Sequence, residues 1–378
     1  MPIEVGAVDL EAVRSEIPAL QDRVYLNHGA SGASPRRVVD AAANALETQA
    51  YQAPGAEGMY RHAFSVFSDA RETVARFIGA DPDDVALTQS TTDGINRVAT
   101  ALEWEPGDRV VTTDIEHSAG KLPWHLLEER RGVEVTVVET ENGRIDPGTL
   151  ARAAEGATLV CFSALDWLYG RRQPVQELVA ASHDAGAYAL VDAVQVVGQQ
   201  PLDVDAWDAD FVAASGHKWL LGPWGSGFLY VDSDVAEEAT PAHVGFRGVE
   251  DPDASAISFK SGARRFEVGT TSPAPYAGLR EAVIVARSVG LDSITSRIET
   301  LSDHFKALLP AGRLLSPAEY HSGLVTVRVS NPSETVDRLA EQDIAIRPLP
   351  VPEAVRVSIH AVNTEPEVER AADALLSD

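Results

Sequence analysis

The sequence is poor in cysteine, lysine and methionine. It has 378 residues but a single cysteine, Cys161, which excludes an intramolecular disulfide. Only two methionines and four lysines are present, so nearly all basic residues are arginine. No apolar run is long enough to cross a bilayer. The N-terminal stretch MPIEVGAVDLEAV lacks the basic and apolar regions of a signal peptide. A cytoplasmic protein without membrane association is expected.

Positive charge is scarce as well. The chain carries 57 acidic and 31 basic residues, which gives a formal net charge of -26. This excess argues against nucleic acid and anionic membranes as partners. One interpretation is attraction of a cationic partner, and the other is a halophilic acidic surface that keeps the protein soluble in high salt. Because the acidic residues are spread along the chain, we favour the second.

Short β-branched runs alternate with helical patterns over the first two thirds of the chain. The runs cover residues 84–89, 109–114, 133–139, 157–162, 187–192, 209–214 and 227–232. This alternation predicts an α/β fold with a mostly parallel sheet flanked by helices. The run at 227–232 follows its predecessor after a connection too short for a crossover helix, so it is predicted to be antiparallel.

The pattern changes near residue 245. From there two long helical patterns lead into the strand-like segments GLVTVRVS and AVRVSIH and a last helix. The chain is long enough for two domains. We therefore predict an N-terminal arm (1–20), a large domain (21–244) and a smaller α+β C-terminal domain (245–378).

Polar side chains follow the predicted strands, at the ends where open parallel sheets bind their ligands. These residues are Ser90, Thr91, Thr92, Asp93, Glu116, His117, Ser163, Asp166, Trp167, Asp192, Gln195, Ser215, His217 and Lys218. Because the carboxyl ends of parallel strands share one edge of the sheet, we expect these side chains to converge there.

Most of these residues also have an ordinary structural explanation. Hydroxyl residues before a helix are what N-capping alone selects, and Asp192 fits a cap equally well. His117 taken alone suits a loop, and Gln195 suits a helix surface. Lys218 is harder to explain, because it stands between an apolar strand and the glycine-rich turn GPWGSG. A lysine on a solvated surface is not expected there, and neither is one that lies along apolar surface with only its amine in water.

Together, these residues fit the chemistry of one aldehyde cofactor. A lysine amine forms a Schiff base with an aldehyde. A carboxylate keeps a pyridine ring protonated as an electron sink, an aromatic side chain covers the ring, and a helix N-terminus binds phosphate. Pyridoxal 5'-phosphate combines these features, with Lys218 as its attachment point. Burial and cationic neighbours would lower the pKa of Lys218, so that it acts as nucleophile and later as proton shuttle.

The sequence resembles the class V aminotransferase and cysteine desulfurase-like family of fold-type I pyridoxal phosphate enzymes. The resemblance extends from YLNHGASGASP (25–35) to VNTEPEVERAADAL (362–375). It rests on the segments QSTTDGIN, DIEHSAGKLPW, LVDAVQ, SGHKWLLGPWGSGFLYV, RRFEVGT and VRVSIHAVNT. The resemblance implies the PLP-transferase fold of type I, with residues 21–244 binding the cofactor, and a homodimer with a shared active site.

The resemblance also assigns roles in cofactor binding and catalysis. Lys218 would hold the cofactor as an internal aldimine, His117 would stack on its ring and Asp192 would pair with the pyridine nitrogen. The phosphate would be held by Thr91, Thr92, Ser215 and His217, the phenolic oxygen would contact Gln195, and Thr270 would reach the phosphate of the partner subunit.

A small amino-acid substrate is implied in the same way. Arg356 would bind its carboxylate by a bidentate pair. Asn27 and His28 would lie on an N-terminal loop near the substrate, and Trp167 would line the same space. No metal site is predicted.

Two features depart from the desulfurase pattern. The segment IAIRPLPVPEAVRVS before the substrate arginine has no cysteine, and Cys161 lies inside an apolar strand. A persulfide on the protein is therefore not expected. Trp167 stands where the family often has asparagine, and a tryptophan near this point resembles the isopenicillin N epimerase-like branch and related C–S lyases.

The final reaction stays open at this point. Removal of the α-proton by Lys218 leads to transamination, epimerisation or loss of a β-substituent. An aminotransferase is the preferred interpretation, with a C–S lyase, a cysteine desulfurase-like enzyme or an epimerase as alternatives. A nucleotide-binding α/β protein is the non-enzymatic alternative, although no GxGxxG follows the first strand and no P-loop motif is present. A family member with diminished catalytic activity, whose contacts with a partner matter more, is a third possibility.

Overall fold

The computed structural model describes residues 9–377. In this range the strands are β1 (Val24–Tyr25), β2 (Val85–Thr88), β3 (Arg109–Thr113), β4 (Glu134–Val138), β5 (Leu159–Ser163), β6 (Tyr188–Asp192), β7 (Phe211–Ser215), β8 (Gly227–Val231), β9 (Leu324–Arg328), β10 (Ile344–Ala345), β11 (Arg347–Leu349) and β12 (Ala354–Ser358). The α-helices are α1 (Leu10–Ser15), α2 (Arg36–Glu47), α3 (Met59–Ile78), α4 (Thr91–Ala101), α5 (Leu122–Arg131), α6 (Pro147–Ala154), α7 (Val175–Asp184), α8 (Val204–Trp207), α9 (Ser233–Glu238), α10 (Ala274–Val289), α11 (Leu291–Leu308), α12 (Pro332–Ala340) and α13 (Glu365–Leu376).

The central element is a seven-stranded sheet with the order β2-β8-β7-β6-β5-β3-β4. Strand β8 runs antiparallel to both of its neighbours, whereas all other adjacent strands are parallel. The α/β fold with a mostly parallel sheet and the antiparallel direction of the run at 227–232 are both confirmed.

Helices cover both faces of this sheet. Alternate residues of β5 point to opposite faces: Val160 and Phe162 pack in one apolar cluster, and Leu159 and Cys161 pack in another. Burial on both faces explains why the strands read as nearly continuous apolar runs. It also leaves only the strand ends free to present polar groups.

A smaller antiparallel sheet, β11-β12-β9, forms towards the C-terminus. It has its own apolar cluster, to which Val24 and Leu26 of the N-terminal segment contribute. The predicted α+β character of the C-terminal part is thereby confirmed. Helix α10, by contrast, packs into the cluster of the large sheet through Leu279 and Val283. The domain division at residue 245 stays a prediction.

Between residues 9 and 377, no helix combines the length and the apolar character needed to cross a membrane.

Candidate active site

A cavity of about 180 Å³ opens at the carboxyl ends of the parallel strands. Its lining includes twelve of the residues predicted from the sequence, namely Ser90, Thr91, Thr92, His117, Ser163, Trp167, Asp192, Gln195, Ser215, His217, Lys218 and Arg356. The convergence expected from the strand-end rule is therefore present for most of these residues. Three strand-end residues lie outside the lining: Glu116 is buried beside it, Asp93 pairs with Arg97, and Asp166 accepts N–H groups of its own loop.

The N-terminus of α4 faces this cavity. Ser90 caps the helix, since its Oγ accepts a hydrogen bond from the Asp93 N–H over 3.2 Å. The Thr91 N–H donates to Ser215 Oγ over 2.7 Å, and the two hydroxyl groups lie 2.8 Å apart. Thr92 is exposed in the same lining. Hydroxyl groups and N–H groups at the positive end of a helix form a suitable site for an anion.

Lys218 and Asp192 interact electrostatically in the cavity. Burial lowers the pKa of Lys218 to about 8, the Asp192 carboxylate opposes this shift, and the guanidinium groups of Arg356 and Arg347 add to it. Asp192 is nearly inaccessible to solvent, and burial raises its pKa to about 6. Two interactions oppose this rise: the Val194 N–H donates to Asp192 Oδ1 over 2.9 Å, and the positive charge of Lys218 lies nearby. A fraction of Lys218 is therefore neutral and nucleophilic near neutral pH.

His117 lies in the turn after β3. Its Nδ1 accepts a hydrogen bond from the Ala119 N–H over 3.3 Å. Its ring stands at 86° to Trp167, with centroids 5.5 Å apart. Burial, followed by the positive charge of Lys218, lowers the pKa of His117 to about 4. The ring is therefore uncharged at neutral pH.

Arg356 is a buried cation with unused donors. It is 1% exposed, and its Nη1 donates to the Trp167 carbonyl oxygen over 2.8 Å. Nε and Nη2 have no hydrogen-bond partner among residues 9–377. Burial, and then Arg347, lowers the pKa of Arg356 to about 9. A side chain at Gly29 would place Cβ 3.1 Å from Nη2, so glycine keeps this space open. Such a guanidinium is suited to an anionic ligand.

Arg347 also lines the cavity, and sequence reasoning missed it. It pairs directly with Arg356 in the antiparallel register of β11 and β12. The two guanidinium carbons lie 5.7 and 5.8 Å from the centroid of the Trp167 ring. Two cations thus lie close to one indole ring beside the cavity. The only signal in the sequence is the position of both arginines on either side of a short hairpin.

Gln195 and His217 line the cavity, and each also contacts other side chains or backbone groups of the protein. Gln195 Nε2 donates to the Gly29 carbonyl oxygen over 3.0 Å, and its Oε1 accepts from Trp219 Nε1 over 2.8 Å. Burial lowers the pKa of His217 to about 4, and its ring lies 5.4 Å from that of Trp224. The predicted cofactor contacts of both residues stay predictions.

Three residues with a predicted role in binding the substrate or the cofactor lie outside the cavity lining. Asn27 forms a parallel bridge with Ser358. His28 is fully buried against Tyr25 and His360, each with its ring centroid 5.0 Å away. Thr270 is exposed. The structure brings none of the three into the cavity of its own chain, and their roles stay predictions.

Glu116 is a second residue to which sequence reasoning gave no role. It is buried between the ends of β3 and β5 and accepts three hydrogen bonds from Thr113 and Ser163. Cys161 lies on the same face of β5 as Ser163, but it is fully buried in an apolar cluster and does not line the cavity. No cluster of three or more potential metal ligands occurs in the described range.

Comparison with known proteins places this geometry in a family. Residues 24–371 match the family model described as aminotransferase class-V. A probable cysteine desulfurase from Methanothermobacter thermautotrophicus is 38% identical over 75% of this chain and 72% of its own. A probable cysteine desulfurase from Halobacterium salinarum is 31% identical over 97% of this chain and 95% of its own.

Solved structures agree with these sequence matches. The apo structure of a cysteine desulfurase from Thermococcus onnurineus has a TM-score of 0.90 at 27% identity and covers 98% of both chains. The cystine C–S lyase C-DES, in complex with cysteine persulfide, has a TM-score of 0.90 at 26% identity over 96% of this chain and 99% of its own. A mutant of C-DES carries glycine covalently linked to the pyridoxal phosphate cofactor. The chain therefore belongs to the class V aminotransferase family and is a pyridoxal phosphate-dependent enzyme that acts on an α-amino acid.

Proposed function

We propose that the protein is a C–S lyase that cleaves the bond between Cβ and sulfur in a small α-amino acid, and that it releases the sulfur on a small molecule. One observation carries this proposal. The cavity combines Lys218, Asp192 and Arg356, while the only cysteine of the chain, Cys161, is fully buried and does not belong to the cavity lining. No thiol is therefore available to take up sulfur from the substrate.

The residues present fit pyridoxal phosphate. Thr91, at the N-terminus of α4, and Ser215, at the end of β7, would hold the phosphate. Asp192 would hold the proton of the pyridine nitrogen. The uncharged ring of His117 would cover the cofactor, and Lys218 supplies the amine for attachment. When bound, the cofactor offers an aldehyde to the substrate amine and withdraws electrons from Cα.

The substrate would be oriented by Arg356. Its free Nε and Nη2 groups match the two oxygens of an α-carboxylate. Lys218 Nζ would take the α-proton and later deliver a proton to the leaving sulfur. The bond between Cα and hydrogen and the bond between Cβ and sulfur break. Aminoacrylate is released and reacts with water to give pyruvate and ammonia. With cystine the other product is cysteine persulfide, and with cysteine it is sulfide.

Transamination is the second candidate, because the family model carries the name aminotransferase. Holoenzyme incubated with L-cysteine or L-cystine separates the two reactions. A lyase gives pyruvate and ammonia in equal amounts, together with sulfide or persulfide. A transaminase gives a sulfur-containing keto acid without ammonia, and this result would overturn the lyase proposal.

Cys161→Ala should retain the lyase activity and Lys218→Ala should lose it. Loss of activity in Cys161→Ala would also contradict the proposal.

We further infer that the protein is a homodimer with a shared active site. Tyr60, Phe64 and Phe246 form an aromatic patch that stays 61%, 45% and 38% exposed, with ring centroids 6.1 to 6.5 Å apart. Gly269 lies beside this patch, since a Cβ there would be 3.6 Å from Phe246. The exposed Thr270 therefore belongs to the same face. A second copy of the chain that covers the patch would bring Thr270 to the partner's phosphate site.

Mixing of two inactive variants tests the shared site. Lys218→Ala removes the attachment point, and Thr270→Asp places a negative charge against the phosphate. If the sites are shared, a mixed dimer contains one site with neither change, so activity returns after subunit exchange. Phe64→Asp should give a monomer in analytical ultracentrifugation. A wild-type protein that sediments as a monomer would contradict the inference.

The cytoplasmic location, the halophilic character of the acidic surface and the lack of nucleic-acid partners stay predictions from composition.

A further inference from the structure

Glu116 is a buried carboxyl group next to the cavity. It is 2% exposed and directly precedes His117 in the turn after β3. The Thr113 hydroxyl donates to Glu116 Oε1 over 2.7 Å, and the Ser163 N–H donates to the same oxygen over 3.0 Å. The Ser163 hydroxyl donates to Oε2 over 2.5 Å. These contacts fasten the turn that carries His117 to the end of β5.

Ser163 connects this carboxyl group to Asp192. The two residues are direct partners in the parallel register of β5 and β6, and both line the cavity. Burial, together with the Asp192 carboxylate, raises the pKa of Glu116 to about 7. The hydrogen bonds from Ser163 and Thr113 favour the charged form and oppose this rise. Two acidic groups thus lie close together in a region of low dielectric, where ionisation of one disfavours ionisation of the other.

We propose that Glu116 is a positioning residue that fixes His117 and, by holding or releasing its own proton, sets the number of negative charges beside the pyridine site. With Glu116 uncharged, Asp192 carries the one negative charge there. With Glu116 ionised, a second negative charge lies next to it. The inference rests on the roles proposed above for His117 and Asp192 towards the cofactor.

The groups around Glu116 leave Asp192 as its main titrating neighbour. On β5, burial and the charges of Glu116 and Asp192 hold the pKa of the Cys161 thiol well above its usual value, so it stays protonated. His117 on the same turn is uncharged at neutral pH. Lys218 acts on Asp192 from the turn after β7. On the remaining side lies Gly120, where a Cβ would be 3.3 Å from Oε2.

Three variants test the proposal. Glu116→Gln keeps the shape of the side chain and removes its titration. Thr113→Val removes one donor to Glu116 without altering a residue of the cavity lining. Thr112→Val is the matched control, because this neighbouring buried hydroxyl donates to the Gly120 carbonyl oxygen over 3.4 Å and not to Glu116.

The first measurement is a carbon-13 NMR titration of glutamate carboxyl groups in the apo-protein, with Glu116 assigned by its loss in Glu116→Gln. We expect a midpoint near pH 7 in the wild type. Thr113→Val should raise it by about one pH unit, since a hydrogen bond that favours the charged form is lost. Thr112→Val should leave it unchanged. A wild-type midpoint near the ordinary glutamate value of about 4.3 would overturn the proposal.

The second measurement is the absorbance of bound pyridoxal phosphate in the holoenzyme as a function of pH. The wild type should show a transition near pH 7 that is absent in Glu116→Gln and moves upward in Thr113→Val. An identical transition in wild type and Glu116→Gln would overturn the proposal. If Glu116→Gln does not fold, the comparison of Thr113→Val with Thr112→Val decides. Neither measurement uses turnover, so failure of the C–S lyase assignment would leave these results unchanged and is recognised separately.

Discussion

Arg356 contacts Trp167 in two ways, through the backbone carbonyl group and through the indole ring of the tryptophan. Arg356 Nη1 donates to the Trp167 carbonyl oxygen over 2.8 Å, and its guanidinium carbon lies 5.8 Å from the centroid of the indole. This arrangement occupies one nitrogen and orients the plane of the guanidinium. It leaves Nε and Nη2 without partners, in a geometry that suits a carboxylate.

The first prediction concerns this anchor. Arg356→Lys keeps the charge but loses the planar pair of donors. A hydrogen bond to a charged group contributes about 1.5–3 kcal/mol, so kcat/KM should fall by about 10- to 100-fold, mostly through KM. Steady-state kinetics with L-cysteine or L-cystine provide the measurement. Arg328→Lys, on the exposed end of β9, should change neither constant. An unchanged KM in Arg356→Lys would show that the substrate carboxylate binds elsewhere.

The second prediction concerns the electrostatics of Lys218. Asp192 raises its pKa, whereas Arg347 lowers it. Asp192→Asn should therefore move the pKa of Lys218 below about 8, and Arg347→Met should move it above that value. Competitive acylation of the apo-protein at different pH values, read by mass spectrometry of the Lys218 peptide, measures this pKa directly. The exposed-surface variant Arg328→Met serves as control. Shifts of the same sign in the two site variants would contradict the assigned interactions.

The residues that were predicted from sequence share a local signal. Lys218, Asp192 and Thr91 each follow an apolar run, and the geometry of parallel strands brings such positions to one edge. Most strands of the large sheet were predictable because burial on both faces produces apolar runs that stand out from their surroundings, whereas the partly exposed edge strand β4 was predictable from its β-branched residues.

The residues that were missed depend on distant pairings. Arg347 lines the cavity because β11 pairs with β12 in one particular register. No local sequence pattern predicts that register. The role of Glu116 depends on Ser163, which lies on another strand. Thr270, by contrast, was predicted from the family resemblance alone, because its expected partner belongs to a second copy of the chain.

The third prediction concerns the indole ring of Trp167, which lies close to both arginines. Trp167→Ala removes the ring that both guanidinium groups contact, and a cation–π contact contributes about 0.5–2 kcal/mol. KM should rise by about tenfold, with a smaller change in kcat. Trp167→Phe keeps an aromatic face and should recover most of the affinity. If Trp167→Phe and Trp167→Ala behave alike, the indole N–H rather than the ring face would be the important group.

The fourth prediction concerns the stability of the segment that leads to Thr270. Glu267 is buried between Arg71, at 2.6 Å, and Arg247, and it also accepts the Leu87 N–H over 2.9 Å. Burial alone would raise the pKa of Glu267, but Arg71 and Arg247 lower it overall. Glu267→Gln leaves two buried cations without their anion and should lower the free energy of unfolding by about 3–5 kcal/mol.

Urea unfolding at neutral pH measures this loss, and Glu237→Gln is the matched control. Glu237 also pairs with an arginine, Arg265, but its side chain is 61% exposed, so its loss should cost at most about 1 kcal/mol. The pKa of Glu267 is lower in the folded than in the unfolded chain, so its contribution is fully present above the unfolded value of 4.5 and disappears as the pH falls through the folded value. The difference between wild type and Glu267→Gln should therefore shrink on acidification below pH 4.5. A difference that stays constant with pH would show that Glu267 acts through packing rather than through its charge.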